Sequence, residues 1–360
     1  MPEKAPFIFD VHLDLSMNAL EWNRDLSRPL VEIREREAGQ TDKPDRGQGT
    51  VSLPEMRRGN IGLCVGTQIA RYTKRHNPLP GWHSPAQAWA QTQGQLAWYR
   101  EMEQQGELAQ ITNLEQLEAH LAKWETGPTE SLPIGYMLSL EGGDSMVTLG
   151  HLEQAYASGL RAIGPAHYGP GTYAPGTDES GPLGQAGPDL LREMERLGII
   201  LDVTHLSDES LDQAMDLFGG TVWASHCNCR ALVPGDRQLS DEQLKRVIER
   251  DGVIGAAFDA WMLIPGWQRG VTTPKSSGVV LSHVVDHIDY VCQLAGDTKH
   301  ACIGTDLDGG FGREQSPGDM DTIADLQKIP AMLASRGYSP EDVDGIMGRN
   351  AIDLLRRAWS

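Results

Sequence analysis

The sequence predicts one α/β domain over residues 1–360, an eight-stranded (β/α)8 TIM barrel. Three observations favour this fold class. Eight short apolar segments alternate with longer helix-like segments, as in parallel sheets whose strands are joined by helices. The length suits a single barrel with insertions. Polar residues follow several different strands, and a closed barrel brings such strand ends to one mouth. The alternative is an open doubly wound sheet.

The elements follow from the hydrophobic pattern and from local start and stop signals. Strands are predicted over residues 7–11, 62–69, 134–140, 160–165, 199–203, 221–224, 253–258 and 301–304. Helices are predicted over residues 85–105, 114–124, 151–158, 188–197, 207–217, 241–250, 281–294, 321–335 and 340–357. Ser240 with Gln243 forms a capping-box pattern, and Ser207 opens another helix in the same way. Gly198 ends a helix where left-handed backbone costs glycine little.

Two segments between these elements have a different composition. Residues 24–60 are rich in charge, glycine and proline, which predicts an insertion after the first strand and not a separate domain. Residues 165–187 are rich in glycine and proline. A loop of that length inside a barrel is more easily explained as an active-site loop than as a linker.

Composition and charge exclude several classes of protein. Hydrophobic residues make up 39% and charged residues 22%, which is typical of a globular chain. The net charge of −19 argues against nucleic acid or an anionic membrane as the main partner. We expect no membrane span, secretory signal or lipid-anchor signal, because no suitable apolar segment is visible. The odd count of five cysteines favours reduced thiols and a cytoplasmic location.

The first strand ends in Asp-Val-His-Leu-Asp, which includes His12 and Asp14. Alternation along an extended chain places these two side chains on the same side. An imidazole and a carboxylate at this spacing can bind one metal ion. A hydrogen-bonding pair at the strand end is the other interpretation.

A carboxylate follows the third predicted strand. Glu141 leaves an apolar run directly before two glycines, where the backbone can turn sharply at a barrel mouth. Its two oxygens could bridge two metal ions. The alternative is a solvated loop carboxylate.

Two histidines end consecutive strands. His205 and His226 each follow an apolar run, and neighbouring barrel strands would place them side by side as ligands. Cys227 and Cys229 could form a thiolate site with His226, although no second cysteine pair completes a closed tetrahedral site.

The last predicted strand is followed by two aspartates. Asp306 lies nearer the strand end and is the preferred candidate for the mouth, with Asp308 as the fallback. Three histidines and three acids therefore follow five strands. A mononuclear zinc site needs three protein ligands, and a binuclear site needs about five with a bridging carboxylate.

These motifs together resemble the renal (membrane) dipeptidase family of the amidohydrolase superfamily. The matching segments are DVHLDL, SLEGGD, the histidine of PAHYGPG, DVTHLS, ASHCNCRAL, DRQLSDEQL and GTDLDGG. They occur in the order of the family and span residues 10–310. The His-x-Asp motif, where many amidohydrolases carry His-x-His, makes the resemblance more specific.

The resemblance implies an amidohydrolase-like barrel with two zinc ions. His12 and Asp14 would bind one ion, His205 and His226 would bind the other, and Glu141 would bridge them. The family cleaves free dipeptides, often with a D-residue at the C-terminal side, and some members open β-lactam rings. A homodimer is implied by the family only.

The resemblance also implies roles toward the substrate. His167 would bind and polarise the scissile carbonyl, and Asp306 would contact the substrate and move protons. Arg237 would hold the terminal carboxylate, with Arg230 as the alternative. A hydrolase of non-peptide amides or lactams is a second hypothesis. A catalytically dead metal-binding barrel is a third, and it is disfavoured because no ligand position is missing.

Overall fold

A parallel sheet closes into a barrel at the centre of the protein. The computed structural model describes residues 5–74, 79–127 and 129–360. The strands in these residues are β1 (Ile8–Leu13), β2 (Ile61–Ile69), β3 (Leu108–Gln110), β4 (Ile134–Glu141), β5 (Leu160–Gly164), β6 (Ile200–Asp202), β7 (Val222–Trp223), β8 (Ile254–Ala256) and β9 (Ala301–Ile303). Their order is β7-β6-β5-β4-β2-β1-β9-β8.

The two ends of this order are joined directly after β7. Ala224 N donates to Val253 O over 2.9 Å, and Gly255 N donates to Ala224 O over 2.8 Å. These bonds close the ring, so the predicted (β/α)8 barrel is confirmed and the open doubly wound sheet is excluded.

All eight predicted strands are present, and one strand was not predicted. β3 has three residues and pairs with the first residues of β4, outside the ring. The segment Leu108–Gln110 is too short to show a clear period of two, and its pairing with β4 decides its conformation.

Helices surround the barrel. They are α1 (Leu15–Leu20), α2 (Leu30–Arg36), α3 (Leu53–Arg58), α4 (Pro85–Gln104), α5 (Leu114–Thr126), α6 (Leu149–Ala157), α7 (Gly187–Leu197), α8 (Asp208–Leu217), α9 (Asp241–Glu249), α10 (Pro274–Ser277), α11 (Leu281–Ala295), α12 (Ile329–Ser335), α13 (Pro340–Asp344) and α14 (Asn350–Ala358). Among the described residues, none of the helices has the length and apolar character needed to cross a membrane.

Both C-terminal helices are more irregular than predicted. The predicted helix 321–335 begins with a tight 3-10 segment, Ile323–Lys328, and becomes α-helical only at Ile329. Pro330 lies at this junction and cannot donate the backbone hydrogen bond of a continuous α-helix. The predicted helix 340–357 contains a π-helical turn at Gly345–Arg349. A Cβ atom on Gly348 would lie 3.0 Å from Phe9 N, so the turn packs directly on β1.

The predicted capping residues lie at the helix ends where the sequence places them. Gln243 N donates to Ser240 Oγ, and Ser240 N donates to Gln243 Oε1, which completes the capping box of α9. Ser207 Oγ accepts from Ser210 N at the start of α8. Gly198 ends α7 with φ +70°.

Side chains at alternate strand positions fill the inside of the barrel, and the side chains between them contact the helices. Phe9, Val11 and Trp223 belong to one buried cluster, which Leu354 of α14 joins. The neighbouring Ile8 packs in a second cluster with helical residues. The pairing of β1 with β2 is irregular between residues 10 and 13.

The predicted insertion, residues 24–60, packs on the barrel through a buried arginine. Arg24 Nε donates to Glu37 Oε1 over 2.8 Å, and Arg24 Nη2 donates to Asp45 Oδ2 over 2.8 Å. Arg24 Nη1 lies 3.5 Å from Asp308 Oδ2, which follows β9. The insertion is thereby joined to the barrel end at which polar side chains converge.

Candidate metal centre

The five predicted ligands meet at the carboxyl ends of the strands. His12 lies in β1, Asp14 follows β1, and Glu141 is the last residue of β4. His205 and His226 follow β6 and β7. All five side chains are buried, with exposed fractions of 8% or less.

Glu141 lies between two sets of ligand-type atoms. Its Oε1 is 3.2 Å from both His205 Nε2 and His226 Nε2. Its Oε2 is 3.8 Å from His12 Nε2. Two groups of possible ligands result, Glu141 with His205 and His226, and Glu141 with His12 and Asp14; within each, the donor atoms lie within 4.8 Å of one another.

The donor atoms fit a bound cation. His12 Nε2 is buried and has no hydrogen-bond partner among the described residues, an arrangement that is costly unless a ligand completes it. In His205 and His226 the Nδ1 atom, on the side of the ring away from Glu141, contacts a hydroxyl group. His205 Nδ1 contacts Thr177 Oγ1 and His226 Nδ1 contacts Ser225 Oγ, both at 2.8 Å. Such contacts orient imidazole ligands toward a metal.

The electrostatics of the cluster also fit a cation. Burial lowers the pKa of His12, His205 and His226 well below the usual value, so each imidazole is in its neutral, metal-binding form. Burial, followed by the neighbouring charge of Glu141, raises the pKa of Asp14 well above its usual range. A divalent cation would neutralise these crowded carboxylates, and mixed nitrogen and oxygen donors suit zinc.

Asp306 faces the same cluster. Its Oδ1 is 3.7 Å from His12 Nε2, and it forms a further possible ligand group with His12 and His226. Burial, and then the charge of Asp14, raises the pKa of Asp306 well above its usual range. Asp306 and His205 have φ values of +57° and +68°, and such backbone strain is concentrated at functional sites.

The fallback candidate Asp308 lies in a different environment. It is buried, and its carboxylate accepts from Thr50 N over 2.7 Å and from Val51 N over 3.0 Å. With Arg24 beside it, this carboxylate joins the insertion to the barrel. The structure therefore favours Asp306 over Asp308 for the mouth.

The two cysteines near His226 are turned away from the possible ligands. Cys227 Sγ contacts Thr204 Oγ1 at 3.6 Å, and Cys229 Sγ contacts His287 O at 3.6 Å. The possible ligand groups found among the described residues include neither cysteine, so the structure does not support a thiolate site with His226.

The two candidate arginines are placed differently. Arg237 is 3% exposed, and its Nη2 donates to His226 O over 3.0 Å. Arg237 also lines a cavity above the cluster. Arg230 instead forms a two-pronged pair with Asp208, at 2.9 and 2.7 Å, and does not line that cavity. The geometry favours Arg237 as the group available to a ligand.

His167 lies at the edge of the cluster, on the loop after β5. Its Nε2 is 3.8 Å from Glu141 Oε1, and its ring centroid is 4.6 Å from that of His205. Burial lowers the pKa of His167 to about 3, so the ring is neutral. His167 is absent from the possible ligand groups among the described residues.

The cavity above these residues is small, about 40 Å³. Its lining includes residues that were not predicted from the sequence, namely Tyr168, Asp259, Trp261, Met262 and Arg269. Asp259 accepts from Trp261 Nε1 over 2.7 Å and pairs with Arg269 at 3.3 Å. Asp259 directly follows the predicted strand 253–258, so its position at a strand end could have identified it from the sequence.

Arg71 is another residue that sequence reasoning missed. It follows β2, and its Nη2 contacts His167 Nδ1. Its position after a strand could also have pointed to it, but a lone arginine after a strand is usually a surface residue.

A barrel with a buried cluster of imidazoles and carboxylates at its mouth fits the class of metal-dependent hydrolases. Residues 3–359 match the model of a family described as membrane dipeptidase, peptidase family M19. The chain therefore belongs to the membrane dipeptidase family, a family of metallo-dipeptidases.

Individual relatives agree with this assignment. Dipeptidase tcpJ of Claviceps purpurea is 30% identical over 233 residues, which cover 62% of this chain and 51% of that protein. The chain thus spans about half the length of this relative. The crystal structure of the metallopeptidase dipeptidase AC has a TM-score of 0.80 at 22% identity, covering 99% of both chains. A Rhodobacter sphaeroides metallopeptidase bound to a phosphinate mimic of L-Ala-D-Ala has a TM-score of 0.78 at 21% identity, covering 99% of this chain and 100% of that one. These two likenesses concern the fold.

Proposed function

We propose that this protein is a zinc-dependent dipeptidase that hydrolyses free dipeptides at a binuclear site. One observation carries the proposal: the two oxygens of Glu141 face two different sets of buried ligand-type side chains. A carboxylate in that position can bridge two ions. Family membership supports the dipeptidase activity.

The proposed ligands divide between two ions. His12 and Asp14 would hold one zinc ion, His205 and His226 would hold the other, and Glu141 would be shared. When bound, zinc supplies Lewis acidity and lowers the pKa of water toward neutral.

The chain's own residues would carry the remaining tasks. His167 would donate a hydrogen bond from Nε2 to the oxygen of the scissile carbonyl, where negative charge develops. Asp306 would take a proton and return it to the leaving amine.

Arg237 would bind the C-terminal carboxylate of the substrate. Contacts with His226 O and Cys227 Sγ already fix the orientation of its guanidinium. A fixed, planar guanidinium can form two parallel hydrogen bonds with a carboxylate. Arg237 lines one small cavity together with three of the proposed zinc ligands, Asp14, Glu141 and His205, so the distance between Arg237 and the zinc ions would limit substrate length.

A panel of small amides tests this proposal with the zinc-loaded protein. The panel contains dipeptides with L- or D-residues at the C-terminal side, their C-terminal amides, tripeptides, cyclic dipeptides and a β-lactam. Loss of the charged pair with Arg237 costs about 1.5–3 kcal/mol. We therefore expect free dipeptides to exceed their amides and the tripeptides by at least about tenfold in kcat/KM.

Two variants make the panel more specific. Arg237→Met should remove most of the preference for the free carboxylate, whereas the matched Arg230→Met should keep it. Equal turnover of a dipeptide and its amide by the wild type would contradict the carboxylate contact. Turnover of cyclic amides or lactams alone would favour the non-peptide hydrolase, and zinc binding without any hydrolysis would favour a dead barrel.

A further inference from the structure

Two loops at the barrel mouth meet through Arg71 and His167. Arg71 follows β2, and His167 follows β5. Arg71 Nη2 contacts His167 Nδ1, and Arg71 Nη1 donates to Pro80 O over 2.8 Å. His167 Nε2, on the other side of the ring, lies 3.8 Å from Glu141 Oε1. The imidazole is thus held between a guanidinium and the proposed metal ligands.

Both loops are fixed by the carboxylate of Asp144. Asp144 Oδ2 accepts from Tyr72 N over 3.0 Å, next to Arg71, and Asp144 Oδ1 accepts from Thr172 N over 2.7 Å. Trp82 N also donates to Arg71 O over 2.8 Å. The contact between Arg71 and His167 therefore joins two segments that are each fixed by hydrogen bonds of their own.

The chemistry of the two groups sets the position of the ring proton. A guanidinium carries only donors, so the nitrogen that contacts it must supply a lone pair. An imidazole whose Nδ1 accepts a hydrogen bond carries its proton on Nε2. The doubly protonated ring would set two N–H donors against each other and cannot make this contact.

We propose that Arg71 is a positioning residue that fixes His167 as the Nε2–H tautomer and so directs a hydrogen-bond donor toward the proposed metal ligands. This inference rests on the proposed function in one respect, namely that the oxygen receiving this hydrogen bond belongs to a scissile amide. It follows that His167 donates a hydrogen bond through Nε2 and does not take a proton there. Proton transfer is left to Asp306.

The tautomer can be measured directly on the zinc-loaded protein with ring-15N-labelled histidine. Chemical shifts and long-range couplings distinguish the protonated nitrogen from the bare one, and the His167→Gln variant identifies the signals of His167. We expect Nε2 to be protonated and Nδ1 bare in the wild type. In Arg71→Met the signals should move toward the other tautomer or toward exchange between the two, whereas Arg71→Lys, which keeps a donor, should retain the wild-type pattern.

Kinetics give the second measurement. Removing a group that orients a metal-bound imidazole typically costs about 10–100-fold in metal affinity or activity, and we expect an effect of this size on kcat for the imidazole of His167. Arg71→Met should lower kcat by this factor while KM and zinc content change less than twofold, and Arg71→Lys should recover most of kcat. Arg356→Met is the matched control, since Arg356 pairs with Glu118 in a cavity that is also lined by Phe7, directly before β1, at the opposite end of the barrel.

The outcomes separate this inference from the proposed function. An unchanged tautomer in Arg71→Met, or a protonated Nδ1 in the wild type, overturns the inference even if dipeptides are hydrolysed. A wild type that hydrolyses no dipeptide overturns the proposed function, while the NMR spectra still test the effect of Arg71 on His167.

Discussion

Glu141 is the residue on which both proposed metal sites depend, because each of its oxygens faces a different ligand set. Glu141→Gln replaces one oxygen with a donor nitrogen, which cannot bind a cation. We expect the zinc content to fall from about two per chain to one or fewer, and dipeptide hydrolysis to be lost. Metal analysis after zinc loading and gel filtration measures this directly.

Asp308→Asn is the matched carboxylate control for Glu141. Asp308 accepts backbone hydrogen bonds and lies near Arg24 away from the proposed ligands, so zinc content should stay at the wild-type level. Stability should fall instead, by about 1–3 kcal/mol, because buried donors lose an acceptor. Normal zinc in Glu141→Gln, or zinc loss in Asp308→Asn, would contradict the assigned roles.

His167 should affect turnover without affecting metal binding. It lies beside Glu141 but outside the possible ligand groups in the described chain. We expect His167→Ala to lower kcat by about a hundredfold, the usual effect of losing one donor to a developing oxyanion. Zinc content should remain at the wild-type level. A variant that loses zinc would identify His167 as a ligand.

Asp259 gives a prediction for the dependence of stability on pH. Burial raises its pKa from 3.8 to about 6. Between these values the folded protein holds a proton that the unfolded chain has lost, so the contribution of Asp259 to stability decreases as pH rises from 4 to 6. Relative to Asp259→Asn, the wild type should lose up to about 3 kcal/mol over this range. Urea unfolding of both proteins from pH 4 to 8 measures the difference, and a difference that stays constant with pH would contradict the raised pKa.

The strand-end residues of the site could be predicted from sequence because one local rule covers them. An apolar run followed by a histidine or an acid identified His12, Glu141, His205 and His226, and the barrel brings such ends together. The position of Arg71 after a strand could have pointed to it but not to its role, because a lone arginine at such a place is usually a surface residue. Its place beside His167 depends on Asp144, which joins two loops that are far apart in sequence.

At the scale of elements, Asp144 connects the loops after β2 and β5. Asp144→Asn would place an amide nitrogen against one of the two backbone N–H donors. We expect faster hydrogen exchange at residues 71–73 and 170–173, and a kcat lowered by about tenfold as for other supporting residues. Exchange in the barrel strands should stay slow.

Asp342→Asn is the matched control for this prediction. Asp342 also accepts a backbone N–H, from Ser339 at the start of α13, and it does not line the cavity. This variant should leave kcat and exchange in both mouth loops unchanged. Faster exchange throughout Asp144→Asn, strands included, would show that Asp144 stabilises the whole fold and not the loops.

The elements that were predicted correctly have strong local signals. The eight barrel strands have apolar runs, and α9 has a complete capping box. The irregular elements depend on contacts made in the folded chain. β3 is defined by pairing with β4, and the π-helical turn at Gly345–Arg349 packs under β1. No local pattern of residues specifies either contact.

In the whole molecule, the insertion and the long loops contact the same end of the barrel, the end that carries the proposed site. Arg24 links the insertion to Asp308 after β9, two residues beyond Asp306. The long loop after β5 supplies His167 and Thr177, which contacts the ring of His205. The cytoplasmic location and the homodimer stay predictions from the sequence.

A zinc titration of the metal-free protein, with bound zinc and hydrolysis of one good dipeptide measured in the same samples, tests whether hydrolysis depends on a binuclear zinc site. We expect hydrolysis to be absent without zinc, to rise with added metal and to reach its maximum at about two zinc ions per chain. Full activity in the metal-free protein, or two bound zinc ions without hydrolysis of any dipeptide, would contradict the proposed function.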